Sequence, residues 1–140
     1  MSTGRSAMGR MALVLAVALG GCVQAPSTET MQASRVFPAN YKAELVAYLR
    51  TFLNDPTNVR NAYVSEPVLV RLQAEERYVN CVRFDAKSAS GGYRGTRDHL
   101  ARYFAGKLEY FMELRPEAND DRCRSANYQP FPELERMARR

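Results

Sequence analysis

The sequence predicts an α+β domain in which one long N-terminal helix packs on an antiparallel sheet of about four strands, and a short C-terminal helix follows. Two observations carry this prediction. Apolar side chains recur at helical spacing from residue 41 onward, and the stretches after Pro56 are rich in valine, tyrosine and phenylalanine with turn-forming residues between them. The chain of 140 residues is long enough for one such domain, which we place at residues 37–140.

The helix is predicted between Asn40 and Pro56. Its apolar residues follow the i, i+4, i+7/8, i+11 spacing of one helix face: Tyr41, Leu45, Tyr48 or Leu49, and Phe52. Asn40 is a favourable N-cap residue, and Pro56 ends the helix because proline lacks the backbone donor that a helix needs. The breadth of the apolar face predicts that this helix lies on a sheet.

Three stretches of β-forming residues follow the helix. Residues 58–66 and 68–72 are separated by Pro67, which predicts an edge strand or a bend at that point. Residues 77–86 predict the strongest strand, followed by a hairpin loop at the glycine-containing segment 88–92. Apolar side chains lie on both faces of this strand, as expected for a central strand: Tyr78, Val82 and Phe84 on one face, Val79 and Cys81 on the other.

Two structures compete for residues 93–114. The spacing of Leu100, Phe104 and Leu108 fits a helix, whereas Gly106-Lys107 between two aromatic-rich stretches fits a hairpin turn. We favour two strands, because the glycine lies near the midpoint and the flanking aromatic residues favour strands.

The segment Tyr128–Pro132 is predicted to be extended, since residues that precede proline avoid helical conformations. We interpret it as a strap that packs Tyr128 and Phe131 onto the core, and a docking surface for a partner is the alternative. Pro132 fits the first position of a short C-terminal helix over Glu133–Met137.

Residues 1–21 have the organisation of a secretory signal peptide. Arg5 and Arg10 precede the apolar run Met11–Leu19, and no acidic residue stands before it. The run is too short to span a membrane, because a spanning helix needs about 20 apolar residues.

The cysteine that follows this run is the predicted lipid attachment site. Leu19-Gly20-Gly21-Cys22 resembles a bacterial lipobox, so Cys22 is expected to be the N-terminus of the mature protein and to carry lipid. Cleavage of an ordinary signal after Ala25 is the alternative. Residues 22–36 are polar and unpatterned, which predicts a flexible tether between the membrane and the domain.

Cys81 and Cys123 are the two cysteines that remain once Cys22 carries lipid. An even pair in an oxidising compartment predicts a disulfide between them, and two buried free thiols are the alternative. A disulfide that closes the loop between Cys81 and Cys123 would stabilise the domain by roughly 4 kcal/mol, since the cross-link removes entropy from the unfolded chain.

The net charge of +5 does not indicate a nucleic-acid partner. Five of the basic residues lie in the signal peptide or in the last five residues: Arg5, Arg10, Arg136, Arg139 and Arg140. The rest of the chain contains 15 basic and 15 acidic residues, without the clustered basic face that phosphate binding requires.

No catalytic or metal-binding constellation is visible. His99 follows Asp98 directly, and neighbours on a strand point to opposite faces, so they do not form a dyad. A zinc site of Cys81, Cys123 and His99 would need reduced thiols and a fourth ligand. The loop Gly91–Gly95 lacks a following helix for phosphate binding, and Asp120-Asp121 lacks the spacing of a calcium loop. We therefore expect no enzymatic activity, no cofactor and no metal.

Several stretches of the mature chain resemble a group of small α-proteobacterial envelope lipoproteins: residues 40–67, 77–87, 92–95 and 128–136. Members of this group tend to have glycine and a basic residue where Gly106-Lys107 stand here, which favours the hairpin. The resemblance implies a lipid-anchored protein that faces the periplasm, and it transfers no activity and no site residue. Val23 after the lipidated cysteine is similar to the outer-membrane address of enterobacterial lipoproteins.

These observations together predict a lipid-anchored protein of the outer membrane that faces the periplasm. Its expected role is non-enzymatic, as a module that binds an envelope protein or assists outer-membrane assembly. The alternative is a periplasmic binder of a small ligand or glycan, held between the sheet and the helix. A hydrolase that uses His99 is a further, weaker hypothesis.

Overall fold

A computed structural model describes residues 27–73, 75–115 and 121–137 of the chain. They form an α+β domain with a six-stranded antiparallel sheet and three short helices. The helices are α1 (Thr28–Ser34), α2 (Tyr41–Phe52) and α3 (Pro132–Glu135), with a 3-10 turn at Pro56–Asn58. The strands are β1 (Arg60–Val64), β2 (Val68–Leu72), β3 (Glu75–Asp85), β4 (Arg97–Phe104), β5 (Lys107–Glu113) and β6 (Gln129–Pro130).

The predicted architecture of one long N-terminal helix on about four strands is wrong. Helix α2 begins at Tyr41 but has only 12 residues, because Leu53 is already extended and Asp55 caps the following 3-10 turn through the Thr57 N–H. The sheet has six strands, because Pro67 separates β1 from β2 and because the C-terminal strap pairs with β1.

The strands lie in the order β5-β4-β3-β1-β6, and β2 also pairs with β3. Strands β1 and β2 therefore follow each other along the same edge of β3, with Val64 opposite Val82 and Val68 opposite Val79. Ser65 fills the bend between them: its N–H donates to the Cys81 carbonyl, and its hydroxyl oxygen accepts from the Cys81 N–H, both at 2.9 Å.

Strand β3 is covered on both faces, which confirms its prediction as a central strand. The first face of the sheet packs against α2 and α3 through a core that includes Leu45, Leu49, Val82, Phe84, Phe131 and Leu134. The second face carries a smaller cluster: Val79, Cys81, Leu100, Leu114 and Cys123. Asn80 is buried in β3, where its side-chain NH2 donates to the Ser65 carbonyl and its oxygen accepts from the Tyr103 hydroxyl.

Residues 97–113 form a hairpin, which confirms the choice of two strands over a helix. Its two-residue turn has positive φ at both positions, 50° at Ala105 and 75° at Gly106, as in the turns that best match the twist of paired strands. A Cβ atom at Gly106 would lie 3.2 Å from Val36 Cγ1, so the glycine also allows the N-terminal segment to approach closely.

Helix α1 lies within the range 22–36 for which the sequence predicts a tether, and it was not predicted. The hydroxyl of Ser27 accepts from the Thr30 N–H at its N-terminus. The helix is fastened to the sheet by a hydrogen bond from the Ala105 N–H to the Ala33 carbonyl and by an ion pair of 2.7 Å between Arg35 and Glu76. Residues 22–26 lie outside the described part of the chain, and so do Asp120, Arg139 and Arg140.

The C-terminal strap packs onto the core as predicted. Phe131 is fully buried on the first face, and its N–H donates to the Ala62 carbonyl at 2.8 Å. The carboxylate of Glu135 accepts from the Ala62 N–H at 2.9 Å, so α3 is joined to β1 through both backbone groups of one residue. Pro132 occupies the first turn of α3, and this helix ends at Glu135 rather than at Met137.

Candidate functional site

An open groove of about 540 Å³ lies on the second face of the sheet. We call it the second-face groove. Its floor comes from β3 and β4, one wall is β2, and the other wall is the chain around residues 122–127. The floor and the β2 wall are mainly apolar: Val68, Val70, Leu72, Val79, Cys81 and Leu100.

A disulfide between Cys81 and Cys123 holds the two sides of this groove together, which confirms the predicted pairing. The Cα atoms of the two residues are 5.7 Å apart, and both side chains are buried. Because Cys81 is in the central strand, the bridge fixes the chain after residue 121 against the middle of the sheet. Residues 121–128 themselves form turns rather than a helix or a strand.

A second tie lies at the other end of the same stretch. The Tyr128 hydroxyl donates to Asp98 Oδ1 at 2.8 Å, and Arg83 donates to both Asp98 oxygens at 2.6 and 2.9 Å. Burial works against ionisation of Asp98, but the hydrogen bonds from Arg83 and Tyr128 outweigh it and lower the pKa of the carboxyl group. The charged pair and the disulfide thus define the wall of the groove at two points.

The β2 wall of the groove is an uncovered sheet edge. Within the described residues β2 pairs only with β3. Val68 is 56% exposed and Leu69 is 40% exposed, so the edge presents apolar side chains to solvent. Strand β5, at the end of the sheet, instead carries charged residues: Lys107, Glu109 and Glu113. Charged side chains on an edge strand disfavour pairing with another chain. In β2 only Arg71 is charged, so this edge has little of that protection.

A smaller cavity of about 350 Å³ lies on the first face, between the C-terminal end of α2, the loop after β3 and the ends of β4 and β5. We call it the His99 pocket. The imidazole ring of His99 is stacked between Phe84 and Phe111, with ring centroids 4.3 and 5.1 Å away. Its Nε2 atom is 4.0 Å from a carboxylate oxygen of Glu113, and burial lowers the pKa of His99, which favours the neutral ring.

The structure separates the residues from which the sequence suggested chemistry. His99 lies on the first face and Asp98 on the second, where it binds Arg83 and Tyr128. Cys81 and Cys123 are joined to each other, and within the ranges described above no three His, Cys, Asp or Glu side chains are grouped to hold a metal ion. The Gly91–Gly95 segment belongs to the β3–β4 loop, closed by a bridge between Lys87 and Tyr93.

Sequence reasoning missed both cavities. The second-face groove had one local signal, the apolar residues Val68, Val70 and Leu72 at every second position, which place three side chains on one face of β2. The predicted lipid site Cys22 lies outside the described residues. None of the helices in the described ranges has the length and apolar character needed to cross a bilayer.

No protein-family model, no curated protein and no solved structure matches the chain.

Proposed function

We propose that this is a lipid-anchored protein of the bacterial outer membrane that faces the periplasm and binds an envelope protein without enzymatic activity. The partner contributes an extended apolar segment, which pairs with β2 and places side chains in the second-face groove. One observation carries the proposal: an unprotected apolar sheet edge borders the groove of about 540 Å³.

The edge of β2 and the groove supply the two components of strand addition. An exposed edge offers backbone N–H and C=O groups to an incoming strand, and adjacent pockets select its alternate side chains. Val68, Val70 and Leu72 line the groove from β2, so a strand added beside them would direct every second side chain toward the same cavity. The groove volume of about 540 Å³ falls within the range common for binding pockets.

The polar groups of the groove support binding rather than catalysis. The polar residues that line the groove are Ser65, Glu66, Asn80, Arg122, Ser125 and Asn127. Two of them already hold the bend between β1 and β2 in place: the Ser65 hydroxyl accepts from the Cys81 N–H, and the Asn80 amide is bonded to Ser65 and Tyr103. The apolar floor and the free strand edge suit a peptide segment, and the remaining polar residues are at hand for its backbone.

Site-specific photocrosslinking in intact cells tests the partner. A photoreactive amino acid at Val68 is expected to give a discrete crosslinked envelope protein, and the lysine variant Leu69→Lys in the same chain is expected to reduce that product several-fold. Lysine on an edge strand disfavours pairing with another strand. The matched control is the same photoreactive residue at Tyr110, which is 46% exposed on the charged strand β5.

Recurrent crosslinking from position 68 that is absent from position 110 supports the proposal. The same products from both positions, or no product from position 68, would contradict strand addition at β2.

Mass spectrometry of the mature protein tests the anchor. The expected N-terminus is Cys22 with a thioether-linked diacylglycerol, and the variant Cys22→Ser is expected to lose both the lipid and membrane association. An unmodified chain that begins at Pro26 would show an ordinary cleaved signal and exclude the anchor.

A further inference from the structure

We infer that the His99 pocket binds a small organic anion, whose carboxylate or phosphate group contacts Arg97 and whose apolar part lies against Phe52 and Phe84. This site lies on the opposite face of the sheet from the second-face groove, so it does not depend on the function proposed for that groove.

The charge of the pocket favours an anion. Three basic residues line it, Lys87, Arg94 and Arg97, whereas Glu113 is the one acidic residue among its lining side chains. Arg94 and Glu113 form an ion pair at 3.3 Å and so largely offset each other. Lys87 interacts electrostatically with Asp55, which does not line the pocket, whereas Arg97 has no carboxylate partner within the described residues. Arg97 therefore leaves the pocket with a positive excess.

One buried nitrogen atom at the pocket, Nε of Arg97, has no hydrogen-bond partner in the described chain. The neighbouring His99 side chain is only 5% exposed, and its ring interacts with the backbone of Arg97 and Val82. Buried polar atoms are nearly always bonded in folded proteins, so an unpartnered guanidinium nitrogen beside a cavity supports the presence of a ligand there. An anionic oxygen suits this place, since a guanidinium is a strong donor to carboxylate and phosphate groups.

The remaining walls set the size and character of the ligand. Phe84 forms the base of the pocket beneath the His99 ring, and Phe52 is 55% exposed at its mouth. The cavity of about 350 Å³ has room for a charged group together with a short aromatic or aliphatic body. The chemical class is therefore an aryl or alkyl carboxylate or phosphate ester, rather than a bare inorganic ion.

Phenylacetate is a suitable probe, and the His99 ring reports on it because the chain contains a single histidine. Titration into the protein is expected to shift the imidazole NMR signals saturably, with a dissociation constant of about 1 mM or below. Phenylacetamide lacks the charge and acetate lacks the aromatic body. Both are expected to bind at least about tenfold more weakly, which corresponds to about 1.4 kcal/mol.

Arg97→Gln is expected to weaken phenylacetate binding by at least about tenfold, since one charged donor is lost. The matched control is Arg102→Gln on the same strand, whose guanidinium pairs with Glu109 and does not line the pocket. Lys87→Gln is the second variant, for the case that Arg97→Gln does not fold. Lys87 lies in the β3–β4 loop rather than in a strand, and its substitution is expected to weaken phenylacetate binding several-fold.

Equal binding of phenylacetamide and phenylacetate would overturn an anion site, and equal binding of acetate would overturn the organic part of the proposal. Absence of any saturable shift at about 20 mM phenylacetate would also overturn it, because a site weaker than that is not selective. None of these results bears on crosslinking at Val68, so the two proposals fail independently.

Discussion

Removal of the Cys81–Cys123 disulfide is expected to lower the free energy of unfolding by about 4 kcal/mol. The bridge closes a separation of 42 residues, and a cross-link of that length removes much of the entropy of the unfolded chain. The loss is a large part of the roughly 5–15 kcal/mol that stabilises a domain of this size. Urea unfolding of the double variant Cys81→Ala with Cys123→Ala, beside the oxidised wild-type protein, measures it.

The reduced wild-type protein is the control for this experiment, because it removes the cross-link without changing the side-chain volume. Both forms should lose similar stability, and the double variant should lose slightly more for the missing sulfur atoms in the second-face cluster. A change below about 1 kcal/mol in both forms would indicate that Tyr128, Asp98 and Arg83 alone hold the groove wall.

Phe131→Ala is expected to destabilise the domain by about 3–5 kcal/mol. The ring is fully buried in the first-face core, and the residue is where the strap leaves β6 and enters α3. Truncation would leave a cavity and would also loosen α3, whose Leu134 is buried in the same cluster. Thermal or urea unfolding followed by circular dichroism gives the difference.

Tyr110→Ala provides the matched control for Phe131→Ala, since it removes an aromatic ring that is 46% exposed on β5. Its effect should remain within about 0.5 kcal/mol, as is usual for surface substitutions. Similar losses for both variants would mean that the strap contributes no more than an ordinary surface contact.

Local signals in the sequence predicted those elements that depend on neighbouring residues. The alternation of Tyr78, Val79, Cys81 and Val82 identified β3 as a strand covered on both faces, and Gly106 identified the β4–β5 turn. Asn40 located the start of α2, whereas Pro56 lies four residues beyond its last residue, Phe52, because the chain is already extended at Leu53. The number of strands was wrong because strap pairing depends on where the chain returns, which no local pattern encodes.

Helix α1 shows a second reason why sequence patterns do not predict every element. Its sequence, Thr28–Ser34, is polar and lacks an apolar stripe, which is why a tether was expected there. The segment is helical because Ser27 caps it and because the β4–β5 turn supplies a backbone partner from far along the chain. The cap was visible in the sequence, but the partner was not.

The candidate sites likewise include one that the sequence predicted and two that it did not. The pairing of Cys81 with Cys123 followed from the cysteine count and the predicted oxidising compartment, and the structure confirms the disulfide. The two cavities did not follow, because each is bounded by segments distant in sequence. Arg97 illustrates this: nothing near it in the chain marks it as unpartnered, and its significance comes from the burial of its Nε atom beside His99.

If Cys22 carries lipid as proposed, the docking of α1 on the β4–β5 turn would decide which end of the domain lies nearest the membrane. Five residue steps separate Cys22 from Ser27, and an extended chain spans at most about 3.6 Å per residue, so a lipid at Cys22 would keep the start of α1 within about 18 Å of the bilayer surface. The β4–β5 turn would then lie on the membrane side of the domain. Strand β3 leads away from that turn toward the loop that carries Lys87 and Arg94, so the His99 pocket would open on the side away from the membrane.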